Sequence, residues 1–164
     1  MSAELSRVWR LGADIDTDAL APGAYMKHGM DVIAQHCLEG VRPEFANLVR
    51  RGDVIVAGPN FGIGSSREQA AGVLVHLGLK AVIAPSFSGL FFRNAFNLGL
   101  LLLTCEKSEQ IQEAESITVL PSSIHRANGE TLSCQPIPDF LMAMVQAGGL
   151  MNVLKLRSQE KRNA

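Results

Sequence analysis

The sequence predicts an α/β fold, in which helices flank a mainly parallel sheet and a small β-rich portion occupies the C-terminal third. Two observations predict it. In the middle of the chain, apolar strand patterns at 53–57, 80–85 and 100–104 alternate with helical patterns at 67–77 and 87–97. Such alternation is typical of right-handed crossovers between parallel strands. From residue 116 onward, short strand patterns at 117–120, 124–127 and 131–134 are separated by turns, and 128–130 is a hairpin signal.

The remaining elements follow in order. A short strand is predicted at 8–11, a loop at 12–23, short helices at 26–38 and a helical turn at 43–49, and a closing helix at 138–147 ends at two glycines. The 164 residues suffice for one domain, which we expect to span 1–164 with its core at about 8–155. The basic tail at 156–164 is expected to be frayed.

Composition excludes several classes of protein. The chain has 15 basic and 16 acidic side chains and a net charge of −1, which argues against a nucleic-acid binder. The longest apolar run, 98–103, is too short to cross a membrane, and the N-terminus lacks the pattern of a signal peptide. We therefore expect a cytoplasmic protein without a nucleic-acid or membrane partner.

Cysteines and acids offer no metal site in the sequence. Cys37, Cys105 and Cys134 are odd in number and widely separated, which predicts reduced, partly buried thiols and no zinc or iron–sulfur site within this chain. Acids at alternate positions from Asp14 to Asp18 suggest calcium, but the glycine and the distal glutamate of a calcium loop are missing.

The most informative segment is the loop at 58–69, which contains three glycines, two serines and one arginine where a strand is followed by a helix. Backbone amides and the positive end of a helix dipole favour an anion at such a junction. Arg67 adds a planar fork suited to a carboxylate or phosphate, and Ser65 and Ser66 add hydroxyls. The segment predicts a site for a small anionic substrate; a tight turn without a ligand is the alternative.

Spacing argues against three common motifs in this loop. The lysine of a Walker A loop is absent, and the glycines do not match a dinucleotide fingerprint. Gly64-Ser65-Ser66 lacks the flanking glycines of a nucleophile elbow.

Three segments resemble the swivel domain of the aconitase superfamily. They are Asn60–Ala70; Asp14–Asp18 with Pro22, Gly23 and Tyr25; and Ala84–Phe87 with Phe92–Ala95 and Leu98–Leu100. Their order and spacing cover roughly residues 8–155. The resemblance is strongest to the small subunits of the two-chain 3-isopropylmalate dehydratases of leucine biosynthesis.

This resemblance implies a hydro-lyase subunit that is active only with a large subunit, in a heterodimer or heterotetramer. The [4Fe–4S] cluster belongs to that large subunit, and this chain binds no cofactor. The substrate is a small hydroxy acid, with homoaconitate, a citrate-like tricarboxylate or a dimethyl- or methylmalate as alternatives to 3-isopropylmalate. A non-catalytic anion-binding module on the same scaffold is a rival of a different class.

The resemblance also implies roles for residues. Ser65 is the catalytic base, Ser66 contacts substrate or holds the loop, and Arg67 binds a substrate carboxylate. Asp18 orients a histidine of the partner chain or caps its own loop. Lys27, in the segment Tyr25–His28 that carries specificity in the family, faces either a carboxylate or an alkyl group, and we expect this segment to be mobile without the partner.

Overall fold

The computed structural model describes residues 4–164, and in this part of the chain seven strands form one mixed sheet. The strands are β1 (Ser6–Arg10), β2 (Val54–Val56), β3 (Ala81–Ala84), β4 (Leu101–Thr104), β5 (Ser116–Leu120), β6 (Ser123–Arg126) and β7 (Thr131–Ser133). Their order across the sheet is β4-β3-β2-β1-β5-β6-β7. Strands β1 to β4 pair in parallel, whereas β5 to β7 are antiparallel and join the sheet through β1. The predicted α/β fold is confirmed, and the β-rich portion extends the parallel sheet.

Seven α-helices surround this sheet within residues 4–164. They are α1 (Thr17–Leu20), α2 (Met30–Gln35), α3 (Phe45–Leu48), α4 (Gln69–His76), α5 (Gly89–Asn97), α6 (Asp139–Ala147) and α7 (Leu150–Asn163), with short 3₁₀ turns at Gly23–Tyr25 and Ser108–Gln110. Helix α4 connects β2 to β3, and α5 connects β3 to β4. Helix α4 packs against α1, α2 and α5, so the segments that follow β1, β2 and β3 lie side by side.

The parallel strands are in register and fully buried along β2 and β3. Val54 pairs with Ala81, which pairs with Leu101, and the same offset continues to the ends of the strands. Every residue of β2 and β3 is buried, as expected for parallel strands covered on both faces. The carboxyl ends of these strands therefore share one edge, and the loop at 58–69 starts there.

The sheet curls until its two edge strands meet. The Gln135 amide, just beyond β7, donates to the Thr104 carbonyl of β4 at 2.9 Å. The same approach places the Cys105 thiol 3.7 Å from the Ser133 carbonyl and in hydrogen-bond contact with Cys134. Hydrogen bonding between the two thiols lowers the pKa of Cys105, whereas the same bond and burial raise the pKa of Cys134. The three thiols are free, as predicted, and more deeply buried than the partial burial predicted. Two of them, Cys105 and Cys134, are distant in the sequence but are neighbours in space.

A buried carboxylate ties β1 to the start of β2. Asp53, 5% exposed, accepts hydrogen bonds from the Arg7 guanidinium at 2.8 Å, the Trp9 indole at 2.8 Å and the Arg50 amide at 2.9 Å. Burial alone raises the pKa of Asp53, but the bonds from Arg7, Trp9 and Arg50 outweigh it and hold that pKa below its ordinary value.

The structure corrects one sequence prediction near the N-terminus. The predicted loop at 12–23 contains helix α1, because the Asp16 side chain accepts the Ala19 amide at 2.7 Å and caps it. The basic tail at 156–164 lies in α7 up to Asn163. Residues 150–163 contain no glycine or proline and several strong helix formers, so nothing in the sequence ends the helix earlier. In the described residues, no helix has the length and apolar character needed to span a membrane.

Candidate active site

The serine-bearing loop is held between the segment after β1 and the segment after β3. Ile63 forms an isolated parallel bridge with Asp16, and Phe61 forms one with Phe87. The Gly62 amide donates to the Ile15 carbonyl at 2.7 Å, and the Thr17 amide donates to the Ile63 carbonyl at 2.8 Å. The loop therefore adds to the carboxyl edge of the sheet and is fixed on both sides.

Two glycines make this path possible. Gly62 has φ of +85°, and a Cβ at this position would lie 2.3 Å from the Phe91 ring. Gly64 has φ of +111°, and a Cβ there would lie 3.0 Å from Thr17 Oγ1. Both positions combine a left-handed backbone with close approach, so a larger residue cannot replace either without moving its neighbours.

Asn60 opens the loop in a left-handed conformation, with φ of 62°. Its amide donates to Ser86 Oγ at 2.9 Å, and its side-chain Nδ2 donates to Asp14 Oδ1 at 3.0 Å. Asn60 thus shapes the turn.

Ser65 lies exposed at the surface with its hydroxyl oxygen held by neighbours. Arg67 Nε donates to Ser65 Oγ at 2.8 Å. The Ser65 amide donates to Thr17 Oγ1 at 3.1 Å, and the two hydroxyl oxygens are 3.4 Å apart. A guanidinium that donates to a hydroxyl oxygen stabilises negative charge on that oxygen.

Arg67 is shared between the loop and helix α1. Its Nη1 donates to the Ala21 carbonyl at 2.8 Å, at the carboxyl end of α1, and to Asp18 Oδ1 at 3.3 Å. Asp18 Oδ1 also accepts the Gly23 amide at 2.9 Å. Among residues 4–164, Arg67 Nη2 has no hydrogen-bond partner, so one edge of the fork remains available to a ligand.

Ser66 is exposed beside Ser65. Its carbonyl accepts Asn94 Nδ2 of α5 at 3.1 Å, which ties the loop to the next crossover helix. Its hydroxyl makes no hydrogen bond with any described residue, so it is free to meet a substrate.

Helix α4 begins later than the sequence predicts. The predicted start was Arg67, but the helix begins at Gln69, because residues 65–68 serve the loop. Within the described chain, the amides of residues 66–69 donate to no backbone carbonyl. They are therefore the unpaired donors of this helix start and lie next to Ser65 in the sequence.

Lys27 is placed apart from this group. It is exposed between the 3₁₀ turn Gly23–Tyr25 and α2, and it forms no ion pair with any residue in 4–164. The segment around it makes contacts within the chain, because the Tyr25 ring stacks on His36 with centroids 3.6 Å apart and the His28 amide donates to the Tyr25 carbonyl at 3.0 Å. The structure thus brings Ser65, Ser66, Arg67 and Asp18 together and leaves Lys27 outside their contacts.

Two residues that hold this site were not assigned roles from the sequence, Thr17 and Asn94. A signal for Thr17 exists, because residues 14–18 alternate between exposed and buried and the buried ones are Ile15 and Thr17. A polar residue at a buried alternate position requires a partner inside the protein. No local signal identifies Asn94, whose partner is 28 residues away in the sequence.

No arrangement of three or more His, Cys, Asp or Glu side chains in residues 4–164 could hold a metal ion.

Known proteins share the sequence pattern and the fold of this chain. The family described as aconitase C-terminal domain matches residues 42–108, which include the loop. The methanogen homoaconitase small subunit of Methanothermobacter thermautotrophicus is 43% identical over 89% of this chain and 87% of its own length. The 3-isopropylmalate dehydratase small subunit 1 of Archaeoglobus fulgidus is 41% identical over 92% of this chain and 96% of its own.

A solved structure supports the same assignment. The crystal structure of 3-isopropylmalate dehydratase (LeuD) from Methanocaldococcus jannaschii matches with a TM-score of 0.91 and 37% identity, and covers 97% of both chains. The two small subunits from Methanothermobacter and Archaeoglobus are more than 40% identical to this chain across nearly its whole length, and the solved structure shares its fold. The chain therefore belongs to the aconitase family, among the small subunits of its hydro-lyases.

Proposed function

We propose that the chain is the small subunit of a 3-isopropylmalate dehydratase of leucine biosynthesis and supplies Ser65 as the base. The observation that carries this proposal is the pairing of an exposed Ser65 hydroxyl with Arg67 Nε at 2.8 Å, in a chain whose relatives include several 3-isopropylmalate dehydratase small subunits at about 40% identity. Free, buried thiols suit a reducing compartment, so we place the enzyme in the cytoplasm.

A large subunit completes the site. Ser65 and Ser66 lie on an open surface, and dehydration chemistry benefits from a site that excludes water. The proposed [4Fe–4S] cluster is held by that large subunit, and when bound it supplies a Lewis acid for the substrate hydroxyl. We expect a heterodimer or heterotetramer of the two subunits.

Ser65 performs the proton transfer. In its deprotonated form, Oγ takes the proton from the carbon next to a substrate carboxylate. The electron pair of that C–H bond becomes the second bond of the alkene, while the hydroxyl leaves from the neighbouring carbon. The released hydroxide then adds to the carbon that lost its proton, and Ser65 Oγ returns its proton to the carbon that lost the hydroxyl, which gives the isomer and leaves the serine deprotonated again.

Arg67 has two tasks in this account. Nε stabilises the Ser65 oxygen, and the free Nη2 binds a substrate carboxylate. Ser66 offers its hydroxyl to the same substrate. Asp18 holds Arg67 and the Gly23 amide, and its remaining oxygen is available to orient a histidine of the large subunit.

Lys27 acts on substrate choice across the subunit interface. Lys27 is exposed beside the stacked rings of Tyr25 and His36. From this position its ammonium or its alkyl stem can contact the variable substituent of a bound substrate. The 43% identical homoaconitase small subunit keeps homoaconitate as the second candidate.

The test is reconstitution with a cluster-bearing large subunit, assayed on 3-isopropylmalate, homoaconitate, a citrate-like tricarboxylate and methylmalate. We expect no activity from either subunit alone, and the highest kcat/KM of the assembled enzyme for 3-isopropylmalate. A higher kcat/KM for homoaconitate would move the assignment to homoaconitase. Assembly without activity on any of the four acids would favour a non-catalytic module.

A further inference from the structure

Thr17 is a buried hydroxyl residue next to the exposed Ser65. It is 3% exposed and is the first residue of α1. Its amide donates to the Ile63 carbonyl at 2.8 Å, so its backbone is fixed to the same loop that carries Ser65. The position of its hydroxyl relative to Ser65 is therefore fixed by the backbone.

The hydrogen bonds of this hydroxyl can be accounted for. A threonine hydroxyl has one hydrogen to donate and two lone pairs to accept. One lone pair accepts the Ser65 amide at 3.1 Å. Among residues 4–164, the acceptor within reach of its hydrogen is Ser65 Oγ at 3.4 Å. That distance is long for two neutral hydroxyls, and it is expected to shorten when the acceptor becomes charged.

Gly64 shows that the loop is shaped around this hydroxyl. A Cβ at Gly64 would lie 3.0 Å from Thr17 Oγ1, with the next neighbour, the Thr17 amide, at 3.7 Å. The absence of a side chain at Gly64 thus leaves room for Thr17 Oγ1 to reach Ser65. The charged groups that face Ser65 are Arg67 and, through Arg67, Asp18.

We propose that Thr17 is a positioning residue for the dehydration, which donates to Ser65 Oγ together with Arg67 Nε and so stabilises the deprotonated serine. This inference rests on the proposed function, because it assigns Thr17 a part in the step that Ser65 performs. Two preorganised donors that point at one oxygen form the arrangement of an oxyanion hole. Here the stabilised oxygen is that of the enzyme's own base, Ser65, and not one of the substrate.

Two substitutions separate this role from packing, because they change opposite features of Thr17. Thr17→Val keeps the shape of the side chain and removes the hydroxyl, whereas Thr17→Ser keeps the hydroxyl and removes the methyl group. Thr118→Val, in the antiparallel half of the sheet, is the matched control. Each variant is assembled with the large subunit, and kcat and KM are measured beside the wild type and Ser65→Ala.

We expect Thr17→Val to lower kcat by about 10- to 100-fold with KM within threefold of the wild type. Thr17→Ser and Thr118→Val should stay within threefold in both constants. The reverse order, with Thr17→Ser impaired and Thr17→Val normal, would show a packing role and overturn the inference. Normal kcat in both Thr17 variants beside an inactive Ser65→Ala would also overturn it, while leaving the proposed function in place.

Activity of Ser65→Ala close to the wild type would instead contradict the role of Ser65 and, with it, the inference. If Thr17→Val does not assemble, Thr17→Cys takes its place, because a thiol has similar size and is a weak donor. The same lowering of kcat is then expected, and a kcat within threefold of the wild type would count against the inference.

Discussion

The Nε atom of Arg67 lies 2.8 Å from Oγ of Ser65, so the guanidinium already contacts the proposed base in the chain alone. Its Nη1 is already bound to the Ala21 carbonyl and to Asp18. The same side chain therefore connects helix α1 to the proposed catalytic serine, and we expect its substitution to affect more than substrate affinity.

Arg67→Lys is expected to reduce kcat/KM by about 100-fold, because one ammonium cannot replace donors to Ser65, Ala21 and a substrate carboxylate at once. We expect both a higher KM and a lower kcat in steady-state assays of the assembled enzyme. Arg157→Lys, on the exposed helix α7, is the control. A change in KM alone would mean that Arg67 contacts substrate without supporting Ser65.

Gly64→Ala should destabilise the chain by about 1 kcal/mol and reduce turnover at least tenfold, because a left-handed residue is strained and its Cβ would press on Thr17 Oγ1. Gly129→Ala is the matched control, since Gly129 has φ of +88° with nothing near its added Cβ. It should show a similar loss in urea unfolding with normal turnover. Equal turnover in the two variants would refute the link between Gly64 and Ser65.

Lys27→Val is expected to raise the ratio of kcat/KM for alkyl-substituted substrates over that for tricarboxylates. The reason is that an apolar side chain favours an alkyl group and removes a cation from the interface. Lys155→Val on α7 is the control for loss of one exposed charge. A ratio unchanged by Lys27→Val would place the specificity contact elsewhere.

Asp53→Asn should lower the free energy of unfolding at pH 7 by about 2 kcal/mol, because Arg7 loses its charged acceptor. The folded pKa of Asp53 lies below its ordinary value of 3.8. The contribution of the ionised Asp53 carboxylate to the free energy of unfolding is therefore complete above pH 4, and it is lost as the pH falls through the folded pKa. The difference from the wild type should shrink below pH 4 in urea unfolding series.

The control for this pH dependence is Asp31→Asn, whose carboxylate is 89% exposed beside His76. It should change stability little at either pH. A loss in Asp53→Asn that stays constant down to pH 2 would show that the charge of Asp53 is not the source of the stability.

The alternating strands and helices of the central region were predictable because each has a strong local pattern. Strand β3 and helix α5 follow the predicted segments within two residues. The start of α4 was predicted two residues early, because Arg67 and Glu68 have helical propensity but their backbone serves the loop. Tertiary contacts override propensity at such boundaries.

The loop at 58–69 was predictable as a turn between a strand and a helix, but its contacts were not. Sequence reasoning placed Ser65 and Arg67 together, since they are two residues apart. It could not pair Thr17 with Ser65 or Asn94 with Ser66, because these contacts depend on how the crossovers align at the sheet edge. The approach of Cys105 to Cys134 was missed for the same reason, since the curl of the sheet has no local signal.

The measurement that tests the account most directly is the turnover of Ser65→Ala in the assembled enzyme, with subunit association measured in the same preparation. The account predicts a loss of kcat of at least 1,000-fold, the order expected when an essential catalytic group is removed, with association unchanged. Turnover within tenfold of the wild type in a fully assembled enzyme would contradict the claim that Ser65 is the base.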